Sequence, residues 1–551
     1  MKKNIIIYSL AAFIGLSGCS LDEMPLGSSV TEEQKEDVVK ADPQKFASEV
    51  NALSANMIKF NTLNLDGADH YDFGYAAVCI FYDSSGIDYV SDNTGYNWFR
   101  SSMLYTDRLA TSSTSEFIWR VFYNNVKQAN DILEVVNPIL ETVENESEKQ
   151  MFEFYKAQAL GYRAFSYLNL IQAYQFTYKG NEDAPGVPLT LTVNDERAIA
   201  KRAPVKDVYA VILSDLTEAI DLLGDKTRDS KDQVSLQVAY GLRARANLVM
   251  QNWKEAAEDA QKAQEGFTPY SLNAVSVPAF NNAMNNDSWI WANIISIENE
   301  IVETGIINWP SHVCSFTGNG YVNVGTYKYM NKPLWLEIPE TDVRKHWWVD
   351  ENLKAPYVDD ITLPDKDGVQ QPLVDVLKFK PYTNIKFGAY EDKILNATNA
   401  SDWALMRVEE MILIEAEAKA MSGDLAGGKT VLKNFLSTYR DPEYKLSTAG
   451  SAEAFQEEVW KQRRIELWGE GFSLFDILRL KKPLTRVEFD AQNKPITTYS
   501  NTTNFNLEAE HPILLYLLPE GEIEANQEID YADNNPTIPV PKPLGELEKI
   551  K

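Results

Sequence analysis

Cysteine and histidine are scarce in this chain, with three and four copies in 551 residues. No CxxC pair and no HExxH helix occurs, which removes the usual zinc and thiol-redox signatures, and no cofactor is expected. Basic residues are also few. Lys and Arg number 52 against 80 Asp and Glu, a formal charge of −28. So acidic a chain repels a phosphate backbone, and nucleic acid is excluded as a partner. Beyond the N-terminus no apolar run approaches the ~20 residues needed to span a bilayer. With 44% apolar and 24% charged residues the composition is that of a large globular protein, neither disordered nor collagen-like.

What is present begins with a leader. Lys2 and Lys3 precede the apolar run from Ile5 to Leu16, too short for a permanent membrane helix and shaped like a secretory signal. Leu16-Ser17-Gly18-Cys19 resembles a bacterial lipobox, which implies removal of residues 1–18 and lipidation of Cys19. The chain would then be anchored to a membrane without entering it. The acidic run Ser20-Leu21-Asp22-Glu23 resembles the export signal of Bacteroidetes-type lipoproteins, which implies the cell-surface side of the outer membrane. In that setting Cys79 and Cys314 permit a disulfide or remain two buried thiols.

Helical period organises much of the rest. Tyr155, Ala159, Tyr162, Phe165, Leu168 and Ile171 recur at three- and four-residue spacing, with Lys156 and Arg163 off the stripe, and predict a long amphipathic helix. It ends in the turn-rich stretch Lys179–Pro188, and the period returns from Val208 to Ala219. Ala239, Leu242, Ala246 and Val249, then Trp253, Ala256, Ala257, Ala260 and Ala263, predict a tight helix pair of the tetratricopeptide kind. A third pair is expected from Trp403 through Ala418, turning at Ser422-Gly423-Asp424. The resulting division is a signal (1–18), a tether (19–40), a helical body (41–265), a loop-rich ligand-side insertion (266–400), the continued body (401–485) and a loop-rich C-terminal segment (486–551). That last segment holds a strand-like run from His511 to Leu518. Gly423–Thr430 matches the phosphate-loop pattern GxxxxGK[ST], but the flanking helix formers make it a turn between paired helices.

Four stretches together resemble the SusD/RagB family of surface lipoproteins. They are Ile118-Trp119-Arg120 with Tyr123 and Ala129–Leu133; Ala157–Tyr174 closing on Gly186-Val187-Pro188-Leu189; Arg407–Ala418; and Arg463–Gly471 with Asp476 and Arg479. A final Leu518–Ile523 with Asn526 resembles the family's closing segment, and in the fourth stretch Ser473 stands where an arginine is common. The resemblance implies a mainly α fold of tetratricopeptide-like stacked helix pairs with a large insertion of loops and short strands. It further implies capture of an oligo- or polysaccharide and delivery to a SusC-like TonB-dependent outer-membrane transporter, with no chemistry on the substrate. Arg463, Glu466 and Glu470 fall at helix spacings that predict pairing along one helix face as framework.

Ligand-binding residues are read from aromatic concentration. Six of the twelve tryptophans lie between residues 289 and 348, interleaved with Asn, Gly and Tyr. Sugars lay C–H faces on aromatic rings and offer hydroxyls to amides and charged groups, so exposed aromatics beside amides suit a glycan. Trp98 is the first candidate, with Tyr96 and Asn97 in its loop; Trp309, Asn319, Tyr321 and Trp335 follow. Trp289, Trp291, Trp347 and Trp348 are expected chiefly as packing residues. Peptide capture, as in RagB-like members, would use the same aromatics and stays open, as does a pure protein-docking scaffold. No motif nominates a glycosidase carboxylate pair.

Overall fold

A computed structural model of the protein describes residues 43–193, 200–284 and 286–545. The leader, Cys19 and the rest of the tether lie outside the described residues. The chain enters through α1 (Ala47–Asn56) and α2 (Tyr75–Ser84), then strand β1 (Tyr89–Ser91) and the short α3 (Arg100–Leu104). Two long helices follow, α4 (Ser113–Thr142) and α5 (Glu146–Tyr174), packed along one another. Asn145 starts α5 by accepting from the N–H groups of Ser147 and Glu148, and Glu146 and Glu148 sit where the helix dipole favours negative charge. The helix is more deeply embedded than its stripe predicts: every residue from 157 to 171 is buried. Arg163 tolerates this because Asp215 takes its guanidinium in a bidentate pair at 2.7 and 2.8 Å.

The antiparallel strands β2 (Pro185–Pro188) and β3 (Arg202–Pro204) carry the chain into α6 (Val205–Leu223), which packs on α5. The tight pair is α7 (Leu236–Met250) and α8 (Trp253–Ala263). Ser235 caps α7, and the spaced alanines of α8 are buried where it meets α7 and the later α9. Strand β4 (Trp289–Asn293) and strand β5 (Lys328–Met330) follow, then β6 (Trp403–Arg407), which pairs with β4, while β5 returns to pair with β1. The chain finishes with α9 (Val408–Met421), α10 (Leu425–Tyr439), α11 (Ala452–Glu466), α12 (Ser473–Arg479) and α13 (Glu520–Ala525).

Several local expectations change. The third pair does not begin at Trp403, because residues 403–407 extend as β6 against β4 and the helix starts at Val408. β4 is buried at every position, as the packing role expected of Trp289 and Trp291 requires. His511–Leu518 is no strand: it makes a 3₁₀ turn at Pro512–Leu514 and then runs through the core unpaired with any sheet, held by Tyr516 N–H donating to the Ala173 carbonyl at 3.0 Å. The phosphate-loop match is a helix–turn–helix. Asp424 caps α10 by accepting from Gly427 N–H at 2.8 Å, and a Cβ on Gly428 would stand 2.5 Å from the Ala416 carbonyl, so that glycine serves close helix packing. Cys79 and Cys314 are buried free thiols.

The C-terminal charged motif departs furthest from a single helix face. α11 ends at Glu466, and Gly471 turns the chain at φ +91°, where a Cβ would strike the Cys79 side chain. Glu466 is fully buried and accepts from Arg440 at 2.8 Å through both oxygens, and from Arg344 and Arg407 at 3.2 Å. Glu470 takes Lys386 at 2.6 Å and Arg407 at 2.8 Å, while Arg463 turns to Asp476 at 2.8 Å. The partners therefore come from the insertion, the β6–α9 junction and the end of α10, not from the motif's own helix.

Burial alone would raise the carboxyls of Glu466, Glu470 and Asp476, but the adjacent guanidinium groups, joined by Lys386 at Glu470, override it and hold all three below the usual carboxylate range. Groups with depressed folded values stabilise the fold above their unfolded values, near ~4, and lose that contribution as pH falls through the folded ones. Glu466→Gln should cost about 3–5 kcal/mol at pH 7, because a buried guanidinium set loses its charge partner, and should flatten the loss of stability on acidification. Urea unfolding of both chains at pH 7 and pH 3 checks this; equal midpoints at pH 7 would rule out the assignment.

Candidate functional site

β1 and β5 pair antiparallel, with Tyr89 opposite Met330 and Ser91 opposite Lys328. This register brings the loop after β1, residues 92–99, beside the segment before β5, residues 321–327. Asn97 shapes the first loop: its side-chain oxygen accepts from Phe99 N–H at 3.2 Å and its amide reaches the Asp92 carbonyl at 3.5 Å. Thr94 joins the two loops through a hydrogen bond with Thr326, and Gly95 turns at φ +82°. A third segment, residues 61–72, folds over them. The buried Asp72 carboxylate secures it by accepting from Thr62 and Leu63 N–H at 2.8 and 2.9 Å.

These loops place four rings together. Trp98 is half buried and stacks on His70, ring centroids 4.8 Å apart at 18°. Tyr321 stands edge-on to Trp98 at 6.5 Å and hydrogen-bonds His70 Nδ1 through its hydroxyl. Tyr96, 53% exposed, lies 6.3 Å from the Tyr321 ring. Underneath, His312 is buried and stacks on Tyr321 at 4.7 Å and on Phe73 at 5.5 Å. His312 Nε2–H donates to the His70 carbonyl at 3.0 Å, so the platform's two halves are fastened from below. Burial, together with the nearby Lys328 ammonium, pushes the His312 pKa well below its ordinary value, which keeps the ring neutral. Burial also lowers His70, with Asp69 opposing.

A polar wall adjoins the rings. The Asp92 carboxylate accepts from Lys380 and, at 3.3 Å, from the Tyr329 hydroxyl. Below it Lys328 is fully buried against Ser91 Oγ at 3.3 Å, and burial lowers its pKa to about 7. The result is a partly exposed aromatic patch, Tyr96, Trp98 and His70 beside a buried Tyr321, and the Trp98 loop also carries the Asp92–Lys380 ion pair. Such a surface can take the C–H face of a ring and bind its hydroxyls. Two clefts lie elsewhere, one of about 530 Å³ beside Arg202 and Asn535 and one of about 300 Å³ beside Trp119 and Tyr123.

Of the residues nominated from sequence, Tyr96, Trp98 and Tyr321 meet here, and Asn97 shapes their loop. Trp309 does not join them. It is fully buried, its indole N–H donates to the Ser401 carbonyl at 2.7 Å, and its ring packs on Phe387 and Trp403 at 5.7 and 5.3 Å. Asn319 is spent on its own loop, donating to the Gly305 carbonyl at 3.3 Å. Trp335 packs on Tyr382 at 5.3 Å beneath the Lys345 ammonium at 4.2 Å, with no ring contact to the platform. Trp289, Trp291, Trp347 and Trp348 are all core. Sequence reasoning missed His70, Lys380 and Asp92; a histidine within Asp69-His70-Tyr71-Asp72, in a chain with four histidines, is the one signal that could have pointed to it.

Comparison with known proteins agrees with this architecture. The SusD-like family described as starch-binding and associating with the outer membrane matches residues 75–248, and the SusD family, SusD_RagB, matches residues 363–536. No curated protein sequence matches the chain. Among solved structures, a SusD-like carbohydrate binding protein from Bacteroides vulgatus is 23% identical with a TM-score of 0.69, covering 90% of this chain and 98% of its own. A SusD superfamily protein from Bacteroides thetaiotaomicron is 19% identical with a TM-score of 0.67, covering 90% and 99%. A laminarin binding SusD-like protein is 17% identical with a TM-score of 0.58, again covering 90% and 99%. These structures share the stacked helix pairs and short strands. The two family matches together take in more than half of the sequence and both ends of the fold, and the chain belongs to the SusD/RagB family.

Proposed function

We propose that this protein is a cell-surface glycan-binding lipoprotein that holds an oligo- or polysaccharide on the Trp98 platform and passes it to a SusC-like TonB-dependent outer-membrane transporter. The observation that carries the reading is the stacked, partly exposed Trp98–His70 pair, whose Trp98 loop also carries the exposed Tyr96 and the Asp92 carboxylate paired with Lys380. A pyranose ring laid on Trp98 would bury its C–H face there, with hydroxyls directed to the carboxylate and the ammonium. The machinery is that of binding: aromatic faces and a fastened polar edge, with no substrate bond to break. The names of the matched family and of the laminarin binding neighbour support a carbohydrate ligand.

Anchoring completes the proposal. No helix among the described residues is long and apolar enough to cross a membrane. Membrane attachment would thus fall to lipid on Cys19, and the stacked helix pairs would offer the docking face for the transporter.

Two outcomes are expected. In calorimetric titration of the soluble chain with oligosaccharide and peptide panels, Trp98→Ala should weaken glycan binding at least about tenfold, as for an aromatic hot spot. Trp309→Ala should instead cost about 3–5 kcal/mol of stability as a core truncation, with affinity intact in the folded fraction. Binding of peptides only, or equal glycan affinity in Trp98→Ala, would refute the platform. In the expressing cell, Cys19→Ser should move the protein from the membrane fraction to the soluble one; retention in the membrane would refute the anchor.

A further inference from the structure

The first and last family-like stretches meet at a second concavity whose lining shares no residue with the platform. A cleft of about 300 Å³ opens between α4, the segment after β2 and α13. Trp119 and Tyr123 form one wall, their rings 4.5 Å apart at 34°. Both are fixed in place: the Tyr123 hydroxyl donates to the Pro188 carbonyl at 2.7 Å, and Trp119 sits edge-on to Tyr174 at 5.0 Å. Glu522 lines the same cleft. Its carboxylate accepts from Asn526 Nδ2 at 2.9 Å and from the Trp119 indole.

Among the described residues no lysine or arginine lies within ion-pair distance of Glu522. The neighbouring charges are already matched, Lys127 with Asp131 and Arg120 with Glu116, each at 2.6 Å. Burial raises the Glu522 carboxyl, as expected for a desolvated acid without a counter-ion. Two aromatic faces present negative electrostatic potential, and an unmatched carboxylate beside them adds to it. A cation completes such an arrangement. Val126, Pro188 and Val193 give the rest of the lining an apolar strip that suits an alkyl stem, and Lys127, Asn130, Asp131, Thr190 and Thr192 complete it with polar groups.

We propose that this cleft binds a lysine side chain of a peptide or partner protein, with the stem along the apolar strip and the ammonium beside the Glu522 carboxylate and the Tyr123 ring. An amino sugar would carry a comparable charge and could pair hydroxyls with Asn130 and Thr190, but it has no unbranched alkyl stem to cover Val126, Pro188 and Val193.

The test is NMR titration of the soluble chain with Nα-acetyl-lysine N-methylamide, its neutral isostere Nα-acetyl-norleucine N-methylamide, and glucosamine. The lysine probe should bind, weakening with salt, and the norleucine and glucosamine probes should not compete with it. Glu522→Gln keeps an oxygen to accept from Asn526 and the indole, so it should fold with an unchanged melting temperature and bind the lysine probe at least about tenfold more weakly. Trp98→Ala should bind it like the unmodified chain, which separates this site from the platform. No lysine binding, equal binding by norleucine, preference for glucosamine, or an unaffected Glu522→Gln would each overturn the assignment.

Discussion

Three guanidinium groups converge on one buried carboxylate, Glu466, and the arrangement of the whole chain depends on that convergence. Arg344 comes from the loop-rich middle of the sequence, Arg407 from the junction of β6 and α9, and Arg440 from the end of α10. Among the described residues Glu466 is the one carboxylate that all three share, and with Asp342, Glu409 and Glu470 it offsets their mutual repulsion and ties these three stretches of chain together. Glu470 and Asp476 extend the lock to Lys386, Arg463 and Arg479. A family framework of this kind leaves the surface loops free to differ, because none of the locking side chains belongs to the ligand platform.

The platform follows from that lock by way of a strand pair only three residues long. β1 is stationed by the body and β5 by the insertion; once they pair, Trp98 and Tyr321 must face one another. His312 then ties the underside, and the Asp92–Lys380 pair draws in residue 380 from a further stretch of chain. Stacking holds Trp98 nearly parallel to His70, and the buried His312 stacks on Tyr321 and fixes it edge-on to Trp98.

The helical class and the motif positions were legible because burial on one face leaves a period in the sequence. The tight α7–α8 pair and the capped turn at Asp424 are examples in which spacing and turn chemistry agree. Burial was not legible where period is absent. Trp309 and Trp98 both sit among Asn and aromatic neighbours, yet one is inside and the other at the surface, a difference set by which distant strand covers each loop. Charge pairing was legible only in part: Arg463, Glu466 and Glu470 do belong to a paired network, but the partners were chosen by tertiary packing over helix spacing. His70 lay out of view for the same reason, being carried to Trp98 by a segment whose path is set by Asp72 and not by local propensity.

The β1–β5 pairing also governs when the site can come into existence. Its strands are separated by more than two hundred residues, so loop closure must be completed before any stabilisation from the rings is felt. A chain emerging N-terminus first therefore carries Trp98 as an unmatched surface residue until Tyr321 and then Lys380 have followed. The ring cluster is in this sense a property of the finished chain alone: no N-terminal fragment, however well its helices stack, can assemble it.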